Sequence, residues 1–320
     1  MVNALHEAKQ RAAMFENPFK MVDLMVFDDI ALRNVLTGEG FGLSVDLLAH
    51  SLQGSPDMLI RHIQRVLPAQ QRSLFQPALL HPLSEAEVKA ARQQVLDALF
   101  WELTYWKTPQ LYEELTEGEA LHPGIFQRLE PEIRNRVILD AGAGSGRATF
   151  ECLRYGARLV YSVEPSPGLL HMLQQKLHQQ PTCRVIPCNG RFAALPLADE
   201  SVDIALSCSA FTALPGQGGE EGLVELKRVT TAGGKIVLIW PRVEDQGWLL
   251  EHGFQYVSIP LKQEMQVRFR SWQSAIGCAH RFYAHNRMVL CYLLSRNEAS
   301  IPFSVLGMNP PHEYCWLNVN

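Results

Sequence analysis

The stretch Val137-Ile-Leu-Asp140-Ala-Gly142-Ala143-Gly144-Ser-Gly146-Arg147 has the residue types and spacing to do chemistry. An apolar strand breaks there into glycines and then opens a helix. Glycines let the backbone turn sharply and approach a ligand closely, and the following helix offers free N–H groups and its positive end. Glu164 stands 18 residues after Gly146, at the end of the next apolar run. A carboxylate in that place can accept two hydrogen bonds from a ribose diol. Loop and acid together describe a nucleoside-binding crevice.

Spacing narrows the choice of nucleoside. A nicotinamide dinucleotide asks for G-x-G-x-x-G, whereas these glycines run G-x-G-x-G and Arg147 stands where the third would fall. Asp140, just before the loop, would repel a phosphate and attract an ammonium or a sulfonium-bearing amino acid. S-adenosylmethionine has such a cationic tail.

The elements that must position these residues alternate. From Arg136 onward, short β-branched runs and helical runs follow one another: Val137–Asp140, a helix from Ser145, Leu159–Glu164, a helix from Pro167, Arg184–Pro187, Val202–Cys208, a helix from Glu220, Lys235–Trp240, Gln255–Pro260 and Met288–Leu294. Such alternation predicts an open parallel sheet covered on both faces, in a doubly wound α/β fold. Two short helices, around Pro109–Leu115 and Pro123–Leu129, precede it, the first stopped by Gly118. The tail from Pro302 carries no clear period.

These residues resemble the class I S-adenosylmethionine-dependent methyltransferases over about residues 135–260. The loop from Asp140 to Gly146 is similar to the family's first motif, and Val163-Glu164-Pro165-Ser166 to its second, where the acid holds the ribose. Gly190 to Asp203 resembles the next landmark, leading into the fourth strand, and Glu225 to Leu238 resembles the family's helix, Gly-Gly turn and fifth strand. The resemblance implies a Rossmann-like sheet, S-adenosylmethionine as cofactor and methyl transfer as the activity. Carried onto this chain, the cofactor-binding positions are Asp140, Gly142, Ala143, Gly144, Gly146, Glu164, Pro165, Arg191, Phe192, Ser207 and Cys208. One position departs from the pattern. Many members have Asp after the glycine matching Gly190, against the adenine amino group, and this chain has Arg191. The backbone N–H of Phe192 and an apolar wall are then left to recognise adenine.

Methyl transfer is an in-line displacement at a sulfonium carbon, so alignment and desolvation outweigh acid catalysis and a dedicated base can be absent. Residues at the C-terminal ends of the strands would face the methyl group: Ser207, Cys208, Ser209 and Trp240. On the substrate side, Trp106, Tyr112, Trp240 and Tyr283 are candidates. Tyr105, His280 and His285 are the candidates for proton transfer. Packing explains each of them as readily, including the lid that Trp101 to Tyr112 could form.

Composition excludes other classes. The chain has 320 residues, 47% hydrophobic and 19% charged, enough to build a large core. A formal charge of −4 and a pI near 6.3 give no general attraction to nucleic acid. Glu7, Lys9, Arg11 and Glu16 interrupt the N-terminal apolar stretches, so no leader or membrane segment is expected and the location expected is cytoplasmic. Seven cysteines without CxxC spacing are expected to be buried free thiols, and no metal set is expected.

The first hundred residues read as helices. Ser55-Pro56-Asp57 is an N-cap with proline at the first helical position, and Ser84 with Glu87 is a capping box. This half is similar, over about residues 20–100, to a helical module of the flagellar motor switch protein FliG, in the order of its apolar stripes. The expected layout is a helical accessory domain over 1–100 and a methyltransferase domain over 101–320, with its core at about 135–295. A small-molecule acceptor is preferred because the acceptor-side residues are aromatic and weakly charged. The alternatives are a protein methyltransferase that docks its target through the helical domain, which could also self-associate, and a non-catalytic cofactor-binding assembly protein.

Overall fold

The structure is a computed structural model, and it describes residues 17–37 and 41–320. Glu7, Lys9, Arg11 and Glu16 lie outside the described residues. The chain divides into two compact units, one ending at Pro109 and the other holding Gln110–Asn320.

The first unit is helical. After a 3-10 turn at Met21–Val26 come α1 (Asp29–Thr37), α2 (Val45–Ser51), α3 (Asp57–Val66), α4 (Ala69–Leu80), α5 (Glu85–Ala98) and α6 (Phe100–Lys107). Their apolar stripes meet in a core that includes Leu48, Leu52, Leu59, Ile63, Phe75, Val95 and Leu99, all nearly without exposure. The capping box forms: the Ser84 N–H donates to Glu87 Oε2 at 2.8 Å and the Ser84 side chain accepts from the Glu87 amide. Arg92 closes the end of α2 by donating to the carbonyls of Ser51 and Gln53, satisfying acceptors that a helix terminus leaves open. The start of α3 differs from expectation. Pro56, with ψ 138°, sits in the cap position itself and no side chain caps the helix, so α3 begins at Asp57.

The second unit is a seven-stranded sheet with helices on both faces. Helices α7 (Pro109–Gly118) and α8 (Pro123–Ile133) lead into β1 (Val137–Ala141), α9 (Arg147–Arg154), β2 (Leu159–Glu164), α10 (Pro167–Gln179), β3 (Val185–Asn189), β4 (Val202–Cys208), α11 (Gly219–Val229) and β5 (Thr230–Ile239). There follow α12 (Gln246–Glu251), β6 (Gln255–Ser258), β7 (Gln266–Arg268), α13 (Trp272–Phe282), α14 (Arg287–Arg296), β8 (Ser300–Pro302) and β9 (Glu313–Asn318). The strand order is β3-β2-β1-β4-β5-β9-β6, and β7 and β8 form a separate two-stranded sheet. Side chains alternate across the main sheet. Ile138, Val160, Leu206 and Val237 pack against α8 and α9, whereas Leu139, Val163, Ala205 and Ile236 pack against α11 and α12.

Two expectations for the sheet are corrected. Met288–Leu294 is helix, within α14, and not the last strand. An apolar run of that length fits either element. Its buried residues are Val289, Leu290 and Leu293, a helical spacing, and the Asn286 side chain caps it by accepting from the Met288 amide. The strand in that role is β9, from the tail beyond Pro310 and Pro311, and it runs antiparallel to both β5 and β6. The sheet is therefore mixed, parallel from β3 to β5 and antiparallel beyond. The thiols are also less uniformly buried than expected. Cys152, Cys208, Cys278 and Cys315 are buried, but Cys183, in the turn before β3, and Cys291, on the outer face of α14, are exposed. Among the described residues, no helix is long and apolar enough to cross a membrane.

Candidate functional site

The three loop glycines do different work, which the space around each shows. All have positive φ: +71° at Gly142, +55° at Gly144 and +100° at Gly146. A methyl group on Gly142 would lie 2.5 Å from the Ala210 Cβ, and one on Gly146 would lie 2.6 Å from the Leu173 Cδ1. Those two are glycines because the loop after β4 and helix α10 crowd them. At Gly144 the nearest atom would be 4.0 Å away, on the Tyr112 ring. That position is open, and a ligand can approach its backbone.

Glu164, at the end of β2, holds this loop. Its Oε2 accepts from the Gly144 N–H at 2.8 Å and its Oε1 from the Ser166 N–H at 2.9 Å. The amides of Gly142 and Ala143 both donate to the Val163 carbonyl, at 2.9 and 3.0 Å, so the tip of β2 and the loop form one rigid corner. The Glu164 carboxylate thus lies beside the open glycine.

Asp140 is placed differently from the sequence reading. It has no exposed surface, so it does not face the crevice. Its Oδ2 accepts from the Thr149 hydroxyl at 2.6 Å, Thr149 lies 2.8 Å from the Ser162 hydroxyl, and its Oδ1 is buried without a partner. Burial pushes its pKa up to about 6, against the pull of Thr149. The orphaned oxygen marks a polar position under the loop that the protein itself leaves incomplete.

Phe192, after β3, lies against the other side of the loop. Its ring is 3.3 Å from where a Gly142 Cβ would be and meets Phe211 edge to face, 5.3 Å between centroids. This is an apolar wall beside the glycines, of the kind expected for a base. Arg191 forms an isolated bridge with Ala194 and is half-buried. Pro165 offers its carbonyl to the Asn189 side chain.

The ends of β4 and β5 carry backbone strain. Ser209 and Trp240, each just past its strand, have φ +55° and +54°, which is rare for a bulky residue and concentrates at functional sites. Ser207 is buried, its hydroxyl accepting from the Phe211 amide. Cys208 is buried too, and burial raises its thiol pKa although Arg147 opposes the shift, so it stays neutral near pH 7.

Sequence reasoning missed the charged pair that joins these ends. Arg147, noted only as the residue that breaks the dinucleotide spacing, donates through Nη2 to the Ser209 hydroxyl at 2.8 Å and lies over the Trp240 ring, 5.7 Å from its centroid. Glu119, after α7, has a carboxylate oxygen 3.8 Å from Arg147 and accepts from the Tyr283 hydroxyl at 3.2 Å. No sequence signal distinguished Glu119 from its neighbours, because Glu-Glu-Leu-Thr-Glu-Gly-Glu reads as a solvated helix end. In the fold, its carboxyl is buried and its pKa is raised by that burial.

Tyr112 on α7 connects the two groups, its ring over Gly144 and its hydroxyl within electrostatic reach of Glu164, Glu119 and Arg147. Burial pushes its pKa up to about 12. Helix α7 is tied down by its acids: Glu113 to Lys176 on α10, Glu114 to Ser274 on α13 and Glu117 to Arg270 after β7. Lys176 also donates to the Ser145 carbonyl in the loop, at 3.1 Å. The structure therefore brings together Tyr112, Trp240 and Tyr283. His280 is half-buried and His285 exposed. Tyr105 and Trp106 belong to α6 of the helical unit, where Trp106 packs edge-on against Phe27.

Part of the chain is similar to known proteins. Residues 139–238 match the family model described as a methyltransferase domain. An uncharacterized methyltransferase-like protein of Schizosaccharomyces pombe is 32% identical over 139 residues, 41% of this chain and 51% of its own. An uncharacterized methyltransferase of Mycobacteroides abscessus is 38% identical over 110 residues, 33% of this chain and 40% of its own. The chain spans about half the length of the curated relatives it matches. A solved SAM-dependent methyltransferase from Aquifex aeolicus is similar over 43% of this chain and 91% of its own, at 18% identity and TM-score 0.35, too distant to bear on activity. The glycine loop and the Glu164 carboxylate fall on the same segment, residues 139–238, that matches the model of a methyltransferase domain.

Proposed function

We propose that the chain transfers a methyl group from S-adenosylmethionine to a small-molecule acceptor. The observation that carries this reading is the open Gly144 backbone beside the Glu164 carboxylate, with the Tyr112 ring above it. When bound, the cofactor supplies an electrophilic methyl group on a positively charged sulfur. Glu164 would take the ribose hydroxyls, Gly142, Ala143, Gly144 and Gly146 would let the backbone come close, and Phe192 would flank the base, with Arg191 and Pro165 at its edge. Ser207 and Cys208 would line the end of β4. Tyr112, Trp240 and Tyr283 would exclude water and orient the acceptor, which supports catalysis by alignment. Asp140 would act from below the loop, through its unpartnered oxygen.

Calorimetric titration with S-adenosylmethionine, S-adenosylhomocysteine and NAD tests the reading. Micromolar binding of the two adenosyl compounds and none of NAD supports it, and absence of all binding overturns it.

A second reading rests on the helical unit, which exposes Ile30, Met58, Leu74 and Leu80. Apolar side chains on an outer surface favour docking, so the target could be a protein side chain held by a FliG-like module in the cytoplasm.

A further inference from the structure

Arg147 is held on three sides by neutral groups, the Ser209 hydroxyl, the Trp240 ring and the Glu119 carbonyl, and its ion pair with the Glu119 carboxylate is long. Ser209 fixes Nη2 and the Trp240 ring faces the guanidinium, while 21% of the side chain stays exposed. Its nearest acid, the buried Glu119, makes only a long, single contact with it. The Glu119 carboxylate is 3.8 Å away, and Nη1 donates instead to the Glu119 backbone carbonyl at 3.3 Å. That carboxyl already accepts from Tyr283, and burial pushes it toward its neutral form. The other titratable neighbours do not supply the missing charge. Cys208 and Tyr112 are kept neutral by burial, and Asp140 lies under the loop, committed to Thr149. A guanidinium removed from water without a bidentate partner is costly, and a carboxylate is the group that matches its planar fork. The Trp240 ring lies over the guanidinium, and the Tyr283 hydroxyl holds the Glu119 carboxylate beside it.

We infer that the acceptor is a small carboxylic acid, seated with its carboxylate on Arg147 and its body against Trp240. The inference rests on the methyltransferase reading and adds the acceptor's chemical class. Arg147 is then a specificity residue, and the displaced Glu119 carboxyl remains with Tyr283.

The test uses the full chain saturated with S-adenosylhomocysteine and titrated with benzoate, benzyl alcohol and benzylamine, which share a ring and differ in charge. Benzoate is expected to bind at least about tenfold more tightly than either of the others. Arg147→Gln should remove that preference, and Arg147→Lys should keep part of it, because a point charge replaces the fork. Affinity for S-adenosylhomocysteine should stay within about threefold in both variants. Equal binding of the three probes, or no binding of benzoate, overturns the proposal. Loss of S-adenosylhomocysteine binding in Arg147→Gln also overturns it, since the guanidinium would then serve the cofactor's own carboxylate. Circular dichroism checks that each variant is folded, and Arg147→Lys decides the matter if Arg147→Gln is not. Should the wild type fail to bind S-adenosylhomocysteine, the methyltransferase reading fails by itself, and benzoate titrated into the free protein still judges Arg147.

Discussion

The carboxylate of Glu164 accepts the Gly144 amide at 2.8 Å, so the acid and the open glycine are coupled through one hydrogen bond. On the proposed reading, removing the acid does two things at once: it deletes the acceptor for a ribose and loosens the loop that must approach it. Glu164→Ala is expected to weaken S-adenosylmethionine binding by about 10- to 100-fold, corresponding to one or two lost charge-assisted hydrogen bonds. Calorimetry reads this directly, and an affinity within threefold of wild type would remove Glu164 from the site.

Replacing the loop glycines separates packing from binding. Gly142→Ala meets Ala210 at 2.5 Å with φ +71°, and should cost at least about 2 kcal/mol of stability. Gly144→Ala meets nothing closer than 4.0 Å and should cost about 1 kcal/mol, from its positive φ alone. Its larger effect should be on cofactor affinity. Urea unfolding of both variants, alongside titration, shows whether the two positions differ in this way.

Asp140 should make stability depend on pH in an unusual direction. Its pKa rises from 3.8 to about 6 on folding, so the folded state binds a proton more readily than the unfolded one. Its favourable contribution is complete below about pH 4 and is lost as pH climbs through about 6. The ionised form then costs on the order of 3 kcal/mol at neutral pH. Asp140→Asn, which can still accept from Thr149, should unfold at higher urea than wild type at pH 8 and at similar urea at pH 4. A stability difference independent of pH would contradict this account.

The anchors of α7 should differ in strength according to their burial. The Glu113 side chain is 7% exposed and one of its oxygens has no partner, so Lys176→Met leaves a buried charge and should cost about 3 kcal/mol. Arg270 and Glu117 are 64% and 38% exposed, and Arg270→Ala should cost less than about 1 kcal/mol. Equal losses in urea unfolding would mean that α7 is held by its apolar contacts instead.

Short-range pattern made much of this protein legible. The glycine loop, the position of Glu164 after the second strand, the strands from Val137 to Ile239 and the capping box at Ser84 all depend on residues close in sequence, where steric freedom and periodicity decide the outcome. Met288–Leu294 was misread because a short apolar run suits a strand or a helix equally, and only its packing chooses. The antiparallel β9 was invisible for a related reason, since its pairing with β5 joins residues some eighty positions apart, Lys235 with Asn318. The sequence marked Tyr283 as a substrate-side candidate, but nothing in it joined Tyr283 to Arg147 or pointed to Glu119. Arg147, Glu119 and Tyr283 come from the start of α9, the turn after α7 and the end of α13, and each has an ordinary solvated or packed reading by itself. Folding brings them together past the C-terminal ends of the central strands β1, β4 and β5, where Arg147 meets Ser209 and Trp240 and burial raises the Glu119 pKa.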